Sequence, residues 1–256
     1  MILNKIYHGD CLELMPQIKD KSIDMILCDL PYGSTACSWD VIIPFEPLWK
    51  EYNRIIKDNG AVVLFGSEPF SSYLRMSNIK NYKYDWIWDK VQPTGILTVN
   101  KMPMKQHEII SIFYSKQPTY NRQMTDRKPQ DIRINLIRNE ANRKNKIGFE
   151  YLGGQNVAHS ENYDPTKVNP KTIIRYTKQP TRKKNPHPTQ KPVKLFEYLI
   201  RTYTNENEII LDNCAGSGTT GVACKNSNRN YILMEKERKY FDIAKNRIDN
   251  IQDRIF

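Results

Sequence analysis

The sequence predicts an α/β protein in which the buried strands of a parallel sheet alternate with helices. Two observations predict this class: short, nearly continuous apolar runs that end at turn residues, and longer segments whose apolar residues recur at helical spacing. In Ser22–Cys28, only Asp24 interrupts the apolar residues that follow Ser22, which is typical of a strand covered on both faces. A chain of 256 residues suits one α/β domain, or one such domain with a sizeable insertion.

The other elements follow in chain order from the same two patterns. Pro44–Lys57 has apolar residues at helical spacing, which predicts a helix. Asn59-Gly60 is predicted to stop this helix. Thr94–Lys105 contains Gly, Pro and two lysines and is predicted to form either a loop near the site or a plain connection. The predicted strands are Met1–Tyr7, Ser22–Cys28, Ala61–Phe65, Tyr84–Trp88, Glu108–Tyr114, Glu208–Leu211 and Tyr231–Met234. The predicted helices are Cys11–Ile18, Pro44–Lys57, Phe70–Met76, Val193–Tyr203, Thr219–Lys225 and Arg238–Ile251.

The composition, with 39% hydrophobic and 26% charged residues, is that of an ordinary soluble protein. The N-terminus shows no charged-then-apolar signal segment, and no apolar run approaches membrane-spanning length. We therefore expect a cytoplasmic location and no membrane partner. The five cysteines form no Cys-x-x-Cys pair and no zinc spacing with histidine, which predicts reduced thiols and no metal site.

The positive charge of the chain is concentrated in one stretch. The formal net charge is +11, and Lys116–Lys184 contains sixteen Lys and Arg residues but only six Asp and Glu residues. Residues 115–185 are polar, show no sustained period and interleave aromatic residues with these charges. This pattern predicts an insertion that contacts a polyanion; a basic but unspecialised surface, or a solvated insertion, is the alternative.

The strand Ser22–Cys28 ends in a turn that carries a carboxylate and an aromatic ring. Pro31 and Gly33 force the turn, because proline restricts φ and glycine permits positive φ. Asp29 and Tyr32 are therefore predicted to project from the carboxyl end of a strand, which is the edge where open α/β sheets bind ligands.

These residue types suit one demanding reaction. The exocyclic amino group of a nucleobase is hard to methylate, because its lone pair is delocalised into the ring. Asp29 and the carbonyl of Leu30 would each accept one N–H and aim the lone pair at an incoming methyl group, while Tyr32 would stack on the base. The alternative is an Asp-x-Pro-x-Gly turn without a chemical role.

A second group of candidate residues surrounds a glycine-rich turn. Glu208–Leu211 runs directly into Asp212-Asn-Cys-Ala-Gly-Ser-Gly-Thr-Thr-Gly221 and a helix, an order that forms a cradle for a ligand near a helix N-terminus. The glycine spacing is neither that of dinucleotide sites nor that of a Walker loop. Glu235 ends the next strand, where it is placed to bind two ribose hydroxyls. Asp10 follows a strand and a glycine. It is predicted either to be a ligand for a polar ring or hydroxyl, or to be the N-cap of the following turn.

Together, Asp29–Tyr32, His187–Pro192 and Asp212–Thr219 with Glu235 resemble the motifs of amino-methylating DNA methyltransferases that use S-adenosylmethionine. Their order matches the permuted group called beta, with the catalytic motif first, the target-recognition region in the middle and the cofactor motif last. The resemblance covers most of the chain outside the basic insertion.

This resemblance implies a Rossmann-like S-adenosylmethionine-dependent methyltransferase fold. Its sheet would be mostly parallel with helices on both faces and one antiparallel strand, and Tyr84–Trp88 and Glu108–Tyr114 would supply its far edge. Residues 1–114 and 186–256 would form the catalytic and cofactor-binding domain, and residues 115–185 the target-recognition insertion.

The resemblance also implies the roles of individual residues. Leu30 replaces the first proline of the family's Asp-Pro-Pro-Tyr. The family uses the backbone carbonyl of that position, which leucine also provides, although the loop would be less rigid. Asn213 and Cys214 replace the usual Pro-Phe, so packing against the cofactor is expected to differ. Lys191 would pair with the cofactor carboxylate, or remain a solvated lysine. The implied catalytic residues are Asp29, Leu30, Pro31 and Tyr32. The implied cofactor-binding residues are Asp10, Asp29, Lys191, Asp212, Cys214, Gly216, Ser217, Gly218, Thr219 and Glu235.

On this basis the sequence predicts site-specific methyl transfer from S-adenosyl-L-methionine to the N6 amino group of adenine in double-stranded DNA, with the target base flipped out of the duplex. Asp rather than Ser at position 29 favours adenine by family tendency. N4-cytosine methylation is the nearest alternative, ahead of an RNA substrate and of a nucleic-acid-binding protein with an inactive methyltransferase fold. The resemblance is compatible with a homodimer, and with a cognate restriction endonuclease that makes no direct contact, in a bacterial or phage-encoded system.

Overall fold

The computed structural model describes residues 1–34, 37, 40–132, 164–177 and 190–251. They belong to two compact units, one of Met1–Asn121 with Thr172–Phe256 and one of Arg122–Lys171. The ends of the predicted insertion, residues 115–121 and 172–177, thus belong to the larger unit. Much of its interior lies outside the described residues, as does His187 of the segment His187–Pro192.

The strands and helices carry the following bounds. The strands are β1 (Lys5–His8), β2 (Ile23–Cys28), β3 (Ile56–Gly66), β4 (Tyr82–Thr94), β5 (Lys105–Phe113), β6 (Thr125–Asp126), β7 (Lys167–Val168), β8 (Ile173–Arg175), β9 (Ile209–Asp212) and β10 (Asn230–Glu235). The helices are α1 (Cys11–Leu14), α2 (Phe45–Ile55), α3 (Phe70–Ser77), α4 (Val193–Tyr203), α5 (Thr219–Asn226) and α6 (Arg238–Asp249). None of the helices in the described ranges has the length and apolar character needed to cross a bilayer.

In the larger unit, eight strands form one sheet in the order β1-β10-β9-β2-β3-β5-β4-β8. Every neighbouring pair is parallel except β3 with β5 and β4 with β5, so β5 alone of these strands runs against the others. The predicted fold class, a mostly parallel sheet with one antiparallel strand, is confirmed. In the smaller unit, β6 and β7 form an antiparallel pair.

Helices cover both faces of this sheet because side chains alternate along each strand. Met25 and Leu27 of β2 belong to a core cluster that also contains side chains of α4, α5 and α6. Ile26 and Cys28 belong to the opposite cluster, with side chains of α1, α2 and α3. All six residues of β2 are buried, as the apolar run Ser22–Cys28 predicted.

Asp24, the polar residue within β2, ties this strand to its neighbour. Its carboxylate is almost fully buried and accepts hydrogen bonds from the backbone N–H of Ile209, at 2.9 Å, and from Lys57 Nζ, at 2.6 Å. Ile209 is the first residue of β9, so this contact aligns the starts of β2 and β9.

The predicted stop of the second helix at Asn59-Gly60 is wrong. α2 passes directly into β3, because Ile56 already pairs with Ile23 of β2. Residues 57–60 then bulge out of the register. A Cβ at position 60 would lie 2.8 Å from the carbonyl oxygen of Asp24, so the glycine permits a close backbone approach and does not end a helix.

The far edge of the sheet also differs from the expectation. The predicted strand Tyr84–Trp88 extends over thirteen residues as β4, and β8 pairs outside it, with Ile87 opposite Ile173. Ile174 of β8 is buried in the core. A three-residue strand inside a polar, basic stretch is too short to show a period in the sequence.

One buried hydrogen bond offers a test of the packing between α4 and the sheet. The Tyr203 hydroxyl accepts from Trp86 Nε1 at 2.7 Å and lies 2.8 Å from the Tyr84 hydroxyl. We expect Tyr203→Phe to lower the free energy of unfolding by about 1–3 kcal/mol, because the buried Trp86 N–H would lose its acceptor. Urea unfolding followed by circular dichroism measures this loss. The control Tyr84→Phe removes a half-buried hydroxyl and should cost less; equal losses would contradict the prediction.

Candidate active site

The carboxyl ends of β2, β9 and β10 meet at one open cleft of the larger unit, with a volume of about 650 Å³. These strands are parallel neighbours, so their ends lie at the same edge of the sheet. The predicted site residues that line the cleft are Asp10, Asp29, Leu30, Pro31, Tyr32, Lys191, Asp212, Cys214, Gly216, Ser217, Thr219 and Glu235. Gly218 is not among the lining residues and packs behind the glycine-rich turn.

The turn after β2 is held by its own side chains and by one later residue. The Tyr32 hydroxyl donates to Asp29 Oδ1 at 2.6 Å, and the Tyr32 ring packs against the Phe70 ring with 5.1 Å between centroids. Asp40 accepts from the backbone N–H groups of Gly33 and Ser34, each at 2.9 Å. Nothing local in the sequence indicates this role of Asp40, because its spacing from the turn matches no capping pattern.

Asp29 belongs to a network of buried charges. Lys191 Nζ lies 2.7 Å from Asp29 Oδ2 and 3.1 Å from Glu108 Oε2. Lys90 Nζ lies 3.6 Å from Glu108 Oε1. Both lysines and Glu108 are less than 10% exposed. These four side chains carry two charges of each sign, so together they are neutral.

The surroundings of Lys191 keep it protonated. Burial alone lowers the pKa of its ammonium group, but the negative charges and hydrogen bonds of Asp29 and Glu108 outweigh burial and raise this pKa well above its usual value. Lys191 therefore acts as a hydrogen-bond donor to Asp29 and not as a base. Its predicted pairing with a cofactor carboxylate stays a prediction. Glu108 was predicted only as the start of a strand, and nothing local to it in the sequence indicated a partner 83 residues away.

Two buried carboxylates shape the glycine-rich turn after β9. Asp212 accepts from the backbone N–H of Cys214 at 3.0 Å and from the hydroxyl of Thr220. Glu235, at the end of β10, accepts from the N–H of Gly216 at 2.7 Å and from that of Glu237 at 2.8 Å. Burial raises the pKa of Asp212 to about 7 and also raises the pKa of Glu235.

The glycines of this turn are required by the backbone and by close packing. Gly216 and Gly218 have φ values of +53° and +75°, which side-chain-bearing residues rarely adopt. A Cβ at Gly218 would lie 3.0 Å from the Ala244 Cβ of α6. Arg247 of the same helix donates to the carbonyl oxygen of Ser217 at 3.0 Å. The place of Arg247 in a predicted amphipathic helix gave no sign of this contact.

The N-cap interpretation of Asp10 is confirmed, and its role as a ligand for a polar ring or hydroxyl stays a prediction. Asp10 is the N-cap of α1, with Oδ1 accepting from the Leu12 N–H at 2.9 Å, and it also lines the cleft. Its other oxygen lies 3.0 Å from Lys236 Nζ, next to the end of β10. Asp10 and Glu235 are thus brought to the same end of two paired strands.

Asn213 and Cys214 occupy the two positions that depart from the family pattern. Asn213 is buried, and its Oδ1 accepts from the Tyr52 hydroxyl of α2 at 2.5 Å, which fastens the turn to the helix layer formed by α1–α3. Cys214 lines the cleft. Cys28, at the end of β2, is fully buried, and burial raises the pKa of its thiol to about 12, so it is protonated at neutral pH.

Comparison with known proteins identifies relatives that are similar to this sequence along nearly the whole chain. The model of a DNA methylase family matches residues 23–246. The type II methyltransferase M.HpaI of Haemophilus parainfluenzae is 27% identical over 94% of this chain and 73% of its own length. The type II methyltransferase M1.MboII of Moraxella bovis is 27% identical over 94% of this chain and 95% of its own length.

Solved structures give the same picture of the fold. The crystal structure of the M1.HpyAVI–SAM complex aligns with a TM-score of 0.61 and 26% identity, over 95% of this chain and 98% of that one. The cytosine-N4-specific PvuII DNA methyltransferase aligns with a TM-score of 0.66 over 97% of this chain and 88% of that one. Its sequence identity is 17%, so this second likeness concerns the fold alone.

The neutrality of the buried network can be tested by removing its charges singly and in pairs. We expect Glu108→Gln to lower the free energy of unfolding by about 3–5 kcal/mol, because two buried ammonium groups would then share one carboxylate. Adding Lys90→Met restores neutrality. The double variant should therefore lose less free energy of unfolding than the two single variants lose in sum. Urea unfolding of all four proteins gives the coupling energy, and simple additivity would contradict this account.

The elevated pKa of Asp212 predicts a pH dependence of stability. Folding raises this pKa from 3.8 to about 7, so protonation of Asp212 stabilises the fold. Its contribution to the free energy of unfolding is full below about pH 4 and falls as the pH rises to 7. Asp212→Asn stays neutral, so between pH 4 and 7 the wild type should lose stability relative to this variant. Urea unfolding at several pH values measures the difference. Asp249→Asn, at an exposed site, is the control; parallel curves for Asp212→Asn and wild type would refute the prediction.

Proposed function

The chain belongs to the DNA methylase family whose model matches residues 23–246, as its motifs predicted, and we propose that it methylates the N6 amino group of adenine in duplex DNA. One observation carries the proposal. The turn of Asp29 and Tyr32 and the glycine-rich turn after Asp212 follow adjacent strands and line one cleft. A group bound on one turn would therefore face a group bound on the other.

The residues of the glycine-rich turn fit S-adenosyl-L-methionine, the methyl donor of this family. The positive φ of Gly216 and the absence of its side chain allow a ligand to approach the backbone closely. Each oxygen of Glu235 accepts one backbone N–H and keeps lone pairs for ribose hydroxyls. When bound, the cofactor supplies an electrophilic methyl group. The residues that would hold it are Asp10, Gly216, Ser217, Thr219 and Glu235.

The target base would be held by the turn after β2. Its amino group is paired inside the duplex, so the base must leave the stack before it can react. The Tyr32 ring, kept in place by Phe70 and by its own hydroxyl, offers a surface for stacking. Asp29 accepts one bond on each oxygen in this structure and has lone pairs left for an amino N–H. The Leu30 carbonyl would accept the other N–H.

Electrostatics would supply much of the rate enhancement. As the amino nitrogen gains the methyl group it becomes positive, and the carboxylate of Asp29 would stabilise that charge. Lys191 and Tyr32 hold this carboxylate from two sides, so it need not reorient during the reaction. Leu30 itself is buried in the core, which fixes the backbone where its carbonyl is needed.

Charge supports a nucleic acid as the substrate. The formal net charge of +11 and the sixteen basic residues of Lys116–Lys184 favour binding to phosphates. Base-edge contacts from the insertion would select the site. The choice of adenine over cytosine rests on position 29, where Asp rather than Ser favours adenine by family tendency.

The proposal predicts a severe loss of turnover for Asp29→Ala. We expect a decrease in kcat of at least about 100-fold, because a group that stabilises developing charge is lost, with cofactor affinity changed by less than about 3-fold because the glycine-rich turn is intact. The assay follows methyl transfer from isotopically labelled S-adenosylmethionine to duplex DNA, and isothermal titration measures cofactor binding.

The exposed carboxylate variant Asp249→Ala is the matched control and should retain full turnover. Digestion of the labelled DNA to nucleosides and mass spectrometry identifies the product. Labelled N6-methyladenine supports the proposal, whereas labelled N4-methylcytosine would refute the choice of base. Unchanged turnover of Asp29→Ala would refute the assignment of the site.

A further inference from the structure

The hairpin of β4 and β5 ends in an exposed apolar segment beside the cleft. Isolated exposed apolar side chains are ordinary on protein surfaces, but here five occur within twelve residues, which is typical of an interaction surface. Their exposed fractions are 46% for Val91, 67% for Ile96, 97% for Leu97, 47% for Val99 and 57% for Met102. We call residues 91–102 the hairpin tip.

The fold places this tip at the mouth of the cleft. β4 and β3 are both antiparallel to β5, so β4 runs parallel to β2, β9 and β10, and its carboxyl end lies at the same edge of the sheet as theirs. Lys90, Thr94 and Lys105, at the base of the tip, line the cleft together with Asp29 and Tyr32. Lys105 Nζ also bonds to the hydroxyl of Ser67, just after β3, which anchors the base of the tip to the centre of the sheet.

The charge of the hairpin tip and its base indicates the kind of partner. Residues 91–107 contain the exposed lysines Lys101 and Lys105 and no acidic residue. A surface that is apolar at its end and cationic at its flanks suits a nucleic acid duplex, because lysines neutralise phosphates while apolar side chains fit between bases.

We propose that the hairpin tip inserts Leu97 into the base stack of the duplex when the target base flips out. This inference rests on the proposed function, since it requires a DNA substrate with an extrahelical base. Flipping leaves a gap in the stack, and unstacking costs a few kcal/mol. Leu97 is almost fully exposed in the free protein, so burying it between bases removes apolar surface from water and offsets that cost.

The test compares duplexes that differ in the cost of flipping. The probe is an oligonucleotide duplex carrying the site mapped by the labelling experiment, either fully paired or with a mismatch at the target base. We expect Leu97→Ala to lower kcat/KM on the paired duplex by about 10-fold and on the mismatched duplex by less than about 2-fold, because a mismatched base flips at little cost. Leu97→Phe, which keeps a wedge, should stay close to wild type on both.

The control is Ile2→Ala, which removes a side chain of similar size with 70% exposure before β1, at the opposite end of the strands from the cleft. It should leave both rates unchanged. An equal loss for Leu97→Ala on both duplexes would overturn the inference and indicate a general binding role. An unchanged kcat/KM of Leu97→Ala on both duplexes would also overturn the inference. It would indicate that the tip contacts a protein partner or a second copy of the chain. Failure of the proposed DNA methylation is distinct, because the wild type would then methylate neither duplex.

Discussion

The pairing of β2 with β9 is the contact on which the site depends. The two strands are separated by about 180 residues of sequence, and their register places Ile26 opposite Leu211. Asp24 helps to set this register, since its buried carboxylate accepts the first backbone N–H of β9. As a result, Asp29 and Asp212, the first residues of the two motifs, reach the same edge of the sheet. A shift of the register would separate the carboxylate that would hold the base from the turn that would hold the cofactor.

Burying several charges at this edge is costly unless they are paired. The structure meets the requirement with Asp29, Lys191, Glu108 and Lys90, which come from four separate parts of the chain and together are neutral. Such a network adds little stability over an apolar core, but it holds the Asp29 carboxylate in one position. The two carboxylates beside Lys191 explain why this lysine, although buried, remains cationic.

The cleft is shaped by elements with different degrees of constraint. The glycine-rich turn is enclosed by Glu235, by Arg247 and by close packing against α6, as a preorganised cofactor site requires. The hairpin tip, by contrast, has few apolar contacts of its own and exposes Leu97. Rigid residues thus surround the proposed chemistry, while the exposed apolar surface lies where a duplex would meet the protein.

Local patterns in the sequence determined much of the fold. Continuous apolar runs predicted β2, β9 and β10, and Val193–Tyr203 was predicted as a helix with the bounds that the structure shows. The motifs around Asp29, Asp212 and Glu235 also identified the family, because each is a short stretch whose chemistry is visible without partners. The end of α2 and the strand β8 were not predicted, since both depend on pairing with distant strands.

Only the tertiary structure decided which distant residues share the site. Glu108 was predicted only as the start of a strand and Arg247 only as part of an amphipathic helix, and Lys90 and Asp40 lay outside every predicted element. None of the four has a sequence neighbour that reveals its partner. Their roles follow from the order of the strands in the sheet, which local periodicity does not encode. The sequence alone thus determined the chemistry that is available, and the packing of parallel strands decided where that chemistry is assembled.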